Sequence, residues 1–153
     1  ATTRNTIRGN DAEDSASVLI EYENGVTATY ALCDGTPSPW NYDLAADENE
    51  SFVMAPGENS MQVFGTKGSF GFPNMDLYYY DQDAFGWTHE LKHEHFEVEL
   101  NSPLKAELEH FIDLCKGRET VPRCSGEEGL QTLKIVNGVF ESAETGNAVY
   151  LPS

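Results

Sequence analysis

Three histidines, His89, His93 and His95, come closest to a metal-binding pattern in this 153-residue chain. On a strand the spacing H-x-x-x-H-x-H points all three to one side, within reach of one ion. The run H-E-L-K-H-E-H has no cysteine, however, and such spacing is common on solvated strand faces, so no metal is expected. Gly65-Thr66-Lys67-Gly68-Ser69 is superficially like a phosphate loop. A true one is G-x-x-x-x-G-K-[ST] between a strand and a helix, whose amides cradle the phosphates. Here Lys67 precedes the second glycine and Phe70-Gly71-Phe72 continues as strand, so a hairpin turn is the better reading. Nucleophile chemistry has no support: there is no G-x-S-x-G elbow and no cysteine in an electropositive setting. Acidic residues are too numerous for spacing to select a catalytic pair. His110, beside Phe111 on a helical stripe, reads as a satisfied structural histidine. No residue of this chain is assigned a catalytic role.

The segment Leu32-Cys33-Asp34-Gly35-Thr36-Pro37-Ser38-Pro39-Trp40 is more pointed. A strand ends in a turn-rich loop presenting Asp34 and Trp40. One reading is a packed tryptophan and a turn-capping aspartate. The other is a substrate-pocket wall, because an indole face suits the apolar side of a sugar or cyclitol. Asp34 and Trp40 are therefore the candidate substrate-binding residues.

The elements that position these groups begin with strands. Residues 15–23 alternate with Ala16, Val18, Ile20 and Tyr22 on one face, and residues 26–33 alternate likewise. Asn24-Gly25 between them is the strongest short hairpin signal. A two-residue loop pairs Glu23 with Val26 and Tyr22 with Thr27, which sets Val18, Ile20 and Tyr22 beside Thr27, Thr29 and Ala31. Neither face is then cleanly polar. Either a bulge shifts the register, or both faces are covered, one by helices and one by another chain or domain; the second is the expectation. Further strands are predicted over 42–45, 61–64, 69–72, 77–80, 87–91 and 95–100, with a polar loop over 47–59 containing Pro56-Gly57.

Two helices follow. Ser102 and Pro103 open one with apolar positions Leu104, Leu108, Phe111, Ile112 and Cys115, which Gly117 stops. Ser125 and Glu128 have capping-box spacing at the start of the other. Its stripe is Leu130, Leu133, Val136, Phe140 and Ala143, and Gly146 ends it before a short strand at 149–151. Strands first and helices last argue for one α+β domain spanning 1–153, a mainly antiparallel open sheet with helices packed on one face.

Nine Lys and Arg against 26 Asp and Glu leave a formal charge of −17, which repels phosphate backbones and anionic membranes. Neither nucleic acid nor membrane is an expected partner, and no apolar run reaches the ~18 residues of a membrane span. Cys33, Cys115 and Cys124 have no C-x-x-C spacing, and buried free thiols in a reducing cytoplasm are expected.

The run S-G-E-E-G-L-Q-T-L-K-I-V-N-G-V-F-E-S-A-E-T-G-N-A-V-Y-L resembles the C-terminal end of the Gfo/Idh/MocA family of nicotinamide-dependent oxidoreductases. E-D-S-A-S-V-L-I-E-Y-E-N-G-V, S-P-W, G-T-K-G-S and P-L-K-A-E-L-E-H-F-I-D match in the same order, so the resemblance runs from about Asp14 to Leu151. It implies an N-terminal Rossmann domain that binds NAD or NADP. It also implies a C-terminal domain, like that of glyceraldehyde-3-phosphate dehydrogenase, whose sheet packs against the substrate and sister subunits. The S-P-W loop, followed by Glu48-Asn49, would lie on the substrate side. These 153 residues contain neither G-x-G-x-x-G nor the E-K-P tripeptide whose lysine is the family's acid/base. The expectation is thus a substrate and oligomerisation domain, a homo-oligomer through its sheet face, with no cofactor in this piece and NAD or NADP in the intact parent. The substrate would be a sugar, cyclitol or related polyol. The rival is a non-enzymatic interaction module using an exposed sheet face.

Overall fold

The computed structural model describes residues 1–49, 51–55, 57–81 and 85–151, so the part of the expected polar loop at Pro56 lies outside the described residues. The chain forms two compact units, residues 1–37 with 121–153, and residues 38–120. It is an alpha/beta fold of open antiparallel sheets with helices.

The first unit holds strands β1 (Thr2–Arg4), β2 (Ser15–Glu21) and β3 (Thr27–Cys33) in the order β1-β2-β3. Ser15 pairs with Cys33, Val18 with Tyr30 and Glu21 with Thr27. That register is shifted by one residue from the one expected of a two-residue Asn-Gly loop. The Tyr22 amide donates to the Val26 carbonyl (2.8 Å) and the Gly25 amide to the Tyr22 carbonyl (2.9 Å), closing a three-residue loop over Glu23, Asn24 and Gly25. Gly25 sits at φ +85°, the left-handed residue that turns such a loop into a bulge. The consequence is a clean alternation. Ala16, Val18, Ile20, Ala28, Tyr30 and Leu32 share one face; Ser15, Ser17, Leu19, Thr27 and Thr29 share the other. The shifted register resolves the mixed faces, so this sheet's pattern does not by itself require cover on both faces.

Helix α3 (Gly126–Thr145) packs on β1. Its Val136, Val139 and Phe140 line a cavity with Ala16, Val18 and Leu32 of the apolar face. Its start is the expected capping box: Ser125 Oγ accepts from the Glu128 amide (3.2 Å) and Glu128 Oε2 from the Ser125 amide (2.7 Å). Gly146 ends it at φ +71°. Residues 149–151 form no strand; Leu151 and Val149 instead pass close to Gly138, where an added Cβ would meet Leu151 at 3.3 Å.

The second unit holds β4 (Met61–Phe64), β5 (Gly68–Phe72), β6 (Asp76–Tyr79) and β7 (Lys92–His95), an antiparallel meander in sequence order. One face carries Met61, Val63, Phe70, Phe72 and Leu77; the other carries Gln62, Phe64, Ser69, Gly71, Asp76, Tyr78, His93 and His95. Residues 42–45, expected as strand, are the short helix α1 (Tyr42–Ala45), because Asn41 Oδ1 accepts from the Leu44 amide (2.9 Å) and caps it. Residues 87–91 are not strand either: the His89 amide bonds the Gly86 carbonyl (3.0 Å) in a turn. Pairing in the last predicted strand ends at His95 rather than running to residue 100. Helix α2 (Pro103–Cys115) has proline in its first turn as read, although Ser102 makes no side-chain cap. Leu104, Leu108 and Phe111 of its stripe stand 71%, 62% and 62% exposed.

Candidate functional site

Trp40 lies in the second unit, where the loop before α1 is pinned by side chains. Ser38 Oγ accepts from the Trp40 amide (3.1 Å), a local turn that the Ser-Pro-Trp order makes available. The indole Nε1 then donates to Glu58 Oε2 at 2.9 Å. Trp40 nevertheless stays 65% exposed, so it is held in place without being packed away.

Two residues on, the Tyr42 hydroxyl donates to Glu48, and its ring stacks on Phe72 with centroids 5.9 Å apart and planes 15° from parallel. The Glu48 hydrogen bond, with desolvation and then the charges of Glu48 and Asp43, pushes the Tyr42 hydroxyl up to about 12. Asn49 Oδ1 accepts from the Ser51 amide (3.0 Å). Two aromatic side chains, each fixed by a carboxylate, thus crowd one short stretch. Such a stretch can stack on the apolar face of a ring and offer acceptors to its hydroxyls. Sequence reading found Trp40 and Glu48 but missed Glu58. Glu58 lies eighteen positions along the chain from its partner, beyond α1, and no spacing rule connects them.

Asp34 belongs to the first unit and is already engaged. Arg8 Nε lies 3.1 Å from Asp34 Oδ2, and Arg8 Nη2 donates to the Asp34 carbonyl at 2.6 Å. The more committed carboxylate there is Asp14, which was not singled out. Its Oδ2 accepts from the amides of Thr6 (3.0 Å), Ile7 (2.6 Å) and Arg8 (2.9 Å), and its Oδ1 from the Ser15 hydroxyl (3.1 Å). The Arg8 and Ile7 amides hold its carboxyl below the usual range, against a desolvation that acts the other way. Asp14 and Asp34 edge the apolar cavity beneath α3, whose volume is about 320 Å³. Asp34 is therefore the exposed ion-pair partner of Arg8 on the rim of a cavity.

The histidines divide. His93 and His95 share a face of β7, and both reach Asp76 Oδ1, His93 through Nε2 at 2.8 Å and His95 through Nδ1 at 3.0 Å. These two contacts hold the Asp76 carboxyl below its ordinary range. Tyr78 stacks on His93 with centroids 4.6 Å apart. His89 sits in the turn after Gly86 rather than on the strand, so the expected one-sided set of three is corrected to two. Among the described residues no group of three His, Cys, Asp or Glu could hold a metal ion. His110 Nδ1 lies 3.0 Å from Glu119 Oε2 with its side chain 13% exposed, as a structural histidine would. The cysteines are free, but all three are exposed rather than buried. The bulge turns Cys33 to the polar sheet face, and Cys115 ends the exposed stripe of α2.

A dinucleotide does not fit the residues described. Gly65 to Gly68 is a β4–β5 hairpin, closed by the Gly65 amide on the Gly68 carbonyl (2.8 Å), with no helix behind it. At the start of α3 the side chains of Ser125 and Glu128 are spent on each other's amides. Glu127 and Glu128 in the first turn oppose a phosphate. Among the described residues, no helix is long and apolar enough to cross a membrane. The family model described as oxidoreductase family, C-terminal alpha/beta domain, of Gfo/Idh/MocA type, matches residues 1–151. No curated protein and no solved structure matches the chain.

Proposed function

Because the chain belongs to the Gfo/Idh/MocA oxidoreductase family, as its C-terminal alpha/beta domain, we propose that it forms the substrate side of an NAD(P)-dependent enzyme acting on a sugar, cyclitol or related polyol. The observation that carries this reading is Trp40, 65% exposed and yet anchored at its indole nitrogen. A tryptophan kept in water but denied free rotation is suited to receive a ring. Asp34 is kept as a candidate contact because its side chain is 72% exposed, although Arg8 reaches both of its carboxylate oxygens. Hydride transfer belongs to a cofactor bound by residues other than these, and the chain alone is not catalytic.

The domain's second task is self-association through an open sheet face. Phe64, 76% exposed, and Tyr78, 39% exposed, stand on the same face of the four-stranded sheet and support it. The cytoplasm is the proposed compartment, where exposed free thiols persist. Two measurements test the proposal on the 153-residue chain. Titration with NADH or NADPH is expected to show no tight binding, and light scattering is expected to report more than a monomer. Tight cofactor binding contradicts the first part. A strict monomer contradicts the second.

A further inference from the structure

We propose that Glu58 is the specificity residue of the Trp40 surface, selecting a neutral vicinal diol over phosphorylated or acidic sugars. This deepens the reading of Trp40 as a substrate wall and rests on it. The Glu58 carboxylate is half-buried and lies 2.9 Å from the indole nitrogen, so one of its oxygens is committed to fixing the ring plane. A charge-assisted bond of this kind is stronger than a neutral one. It also leaves the aromatic face, which carries the negative end of the ring quadrupole, free to meet axial C–H groups. The second oxygen accepts hydrogen bonds and cannot donate. Beside the indole, it therefore favours ligands that present hydroxyl donors at the edge of a ring. An anionic substituent placed there meets a carboxylate at short range, in a chain whose formal charge is already −17.

The chain contains two tryptophans, and Trp87 is fully exposed, so its indole is an internal control. The experiment follows both indole ¹⁵N–¹H resonances during titration with myo-inositol, glucose, glucose 6-phosphate and glucuronate. The expected result is a saturable shift of the Trp40 signal with the two neutral polyols alone, with Trp87 unmoved. Glu58→Gln keeps the shape but removes the charge, and is expected to weaken that response about tenfold. Glu58→Asp keeps the charge but withdraws its reach, and should weaken it as well. Dispersed spectra of either variant report that the fold persists. If no neutral polyol moves Trp40, the reading of Trp40 falls and this inference with it. If polyols move Trp40 equally in the wild type and both variants, or glucuronate binds as well as glucose, the role of Glu58 alone is overturned.

Discussion

Deleting Glu23 separates the two possible registers of the first hairpin. In the observed register Tyr22 already faces Val26 across Glu23, Asn24 and Gly25. Removing Glu23 leaves the pair Tyr22–Val26 closed by Asn24-Gly25, the preferred two-residue hairpin loop, and every pair below it is unchanged. Loop-closure entropy for three residues against two differs by only about 0.4 kcal/mol, so the net effect should stay within about 0.5 kcal/mol. If the native loop were instead the two-residue one, the same deletion would rotate β3 by one position relative to β2. Ala28, Tyr30 and Leu32 would then join the face of Val18 and Ile20 in place of Thr27, Thr29 and Ala31. At roughly 1 kcal/mol each for the larger Tyr30 and Leu32 side chains, that gains about 2 kcal/mol. With a urea slope near 2 kcal/mol/M, the predictions are a midpoint change below about 0.3 M against a rise of about 1 M. A rise beyond about 0.7 M, with an unchanged slope, would refute the bulge. Gly25→Ala is the companion variant: an L-residue at φ +85° should lose about 1–2 kcal/mol while keeping the register.

Ser125→Ala removes one arm of the capping box, and a loss of about 1 kcal/mol, roughly 3 °C in melting temperature, is expected by calorimetry. Gly71→Ala places a Cβ 2.5 Å from Asn59 Nδ2 and displaces a side chain that accepts from the Asn74 amide, so urea unfolding should register about 1–3 kcal/mol of lost stability. Asp14 contributes stability fully above the ordinary carboxyl value of 3.8, and this is lost as pH falls through its lowered folded value. Asp14→Asn should therefore flatten the acid limb of stability against pH below about pH 4, and an unchanged limb would contradict the amide cradle. In an ultraviolet titration one tyrosine should ionise near 12, and Glu48→Gln should return it toward 10.0.

The helices were legible because their signals are local. Ser125 with Glu128, Pro103, and the stops at Gly117 and Gly146 each act within a turn or two of backbone, and α2 and α3 begin and end where those residues place them. Hairpins were nearly as legible: the glycines at 65 and 68 mark a β4–β5 turn, and alternation locates β2 to β6 within two residues. Errors arose where one local signal was weighed against another. Asn41 is a helix cap, but the four residues after it are too few to display a helical period, so they read as strand. Gly86 opens a turn over residues 87–89, where the alternation of Trp87, His89 and Leu91 reads as strand.

From the sequence alone came the family, the capped helices, the two hairpins at Asn24-Gly25 and Gly65–Gly68 and the prominence of Trp40, because each rests on residue type at short spacing. Tertiary structure decided the rest. A one-residue bulge at Gly25 chose which face of β2–β3 is apolar, a choice that inverts every side chain and that no period-two pattern contains. It likewise decided that Asp34 answers to Arg8, that His89 parts from His93 and His95, and that Glu58 comes to hold Trp40. Those are distances between residues far apart in the chain, and a chain has no distances of that kind until it has folded.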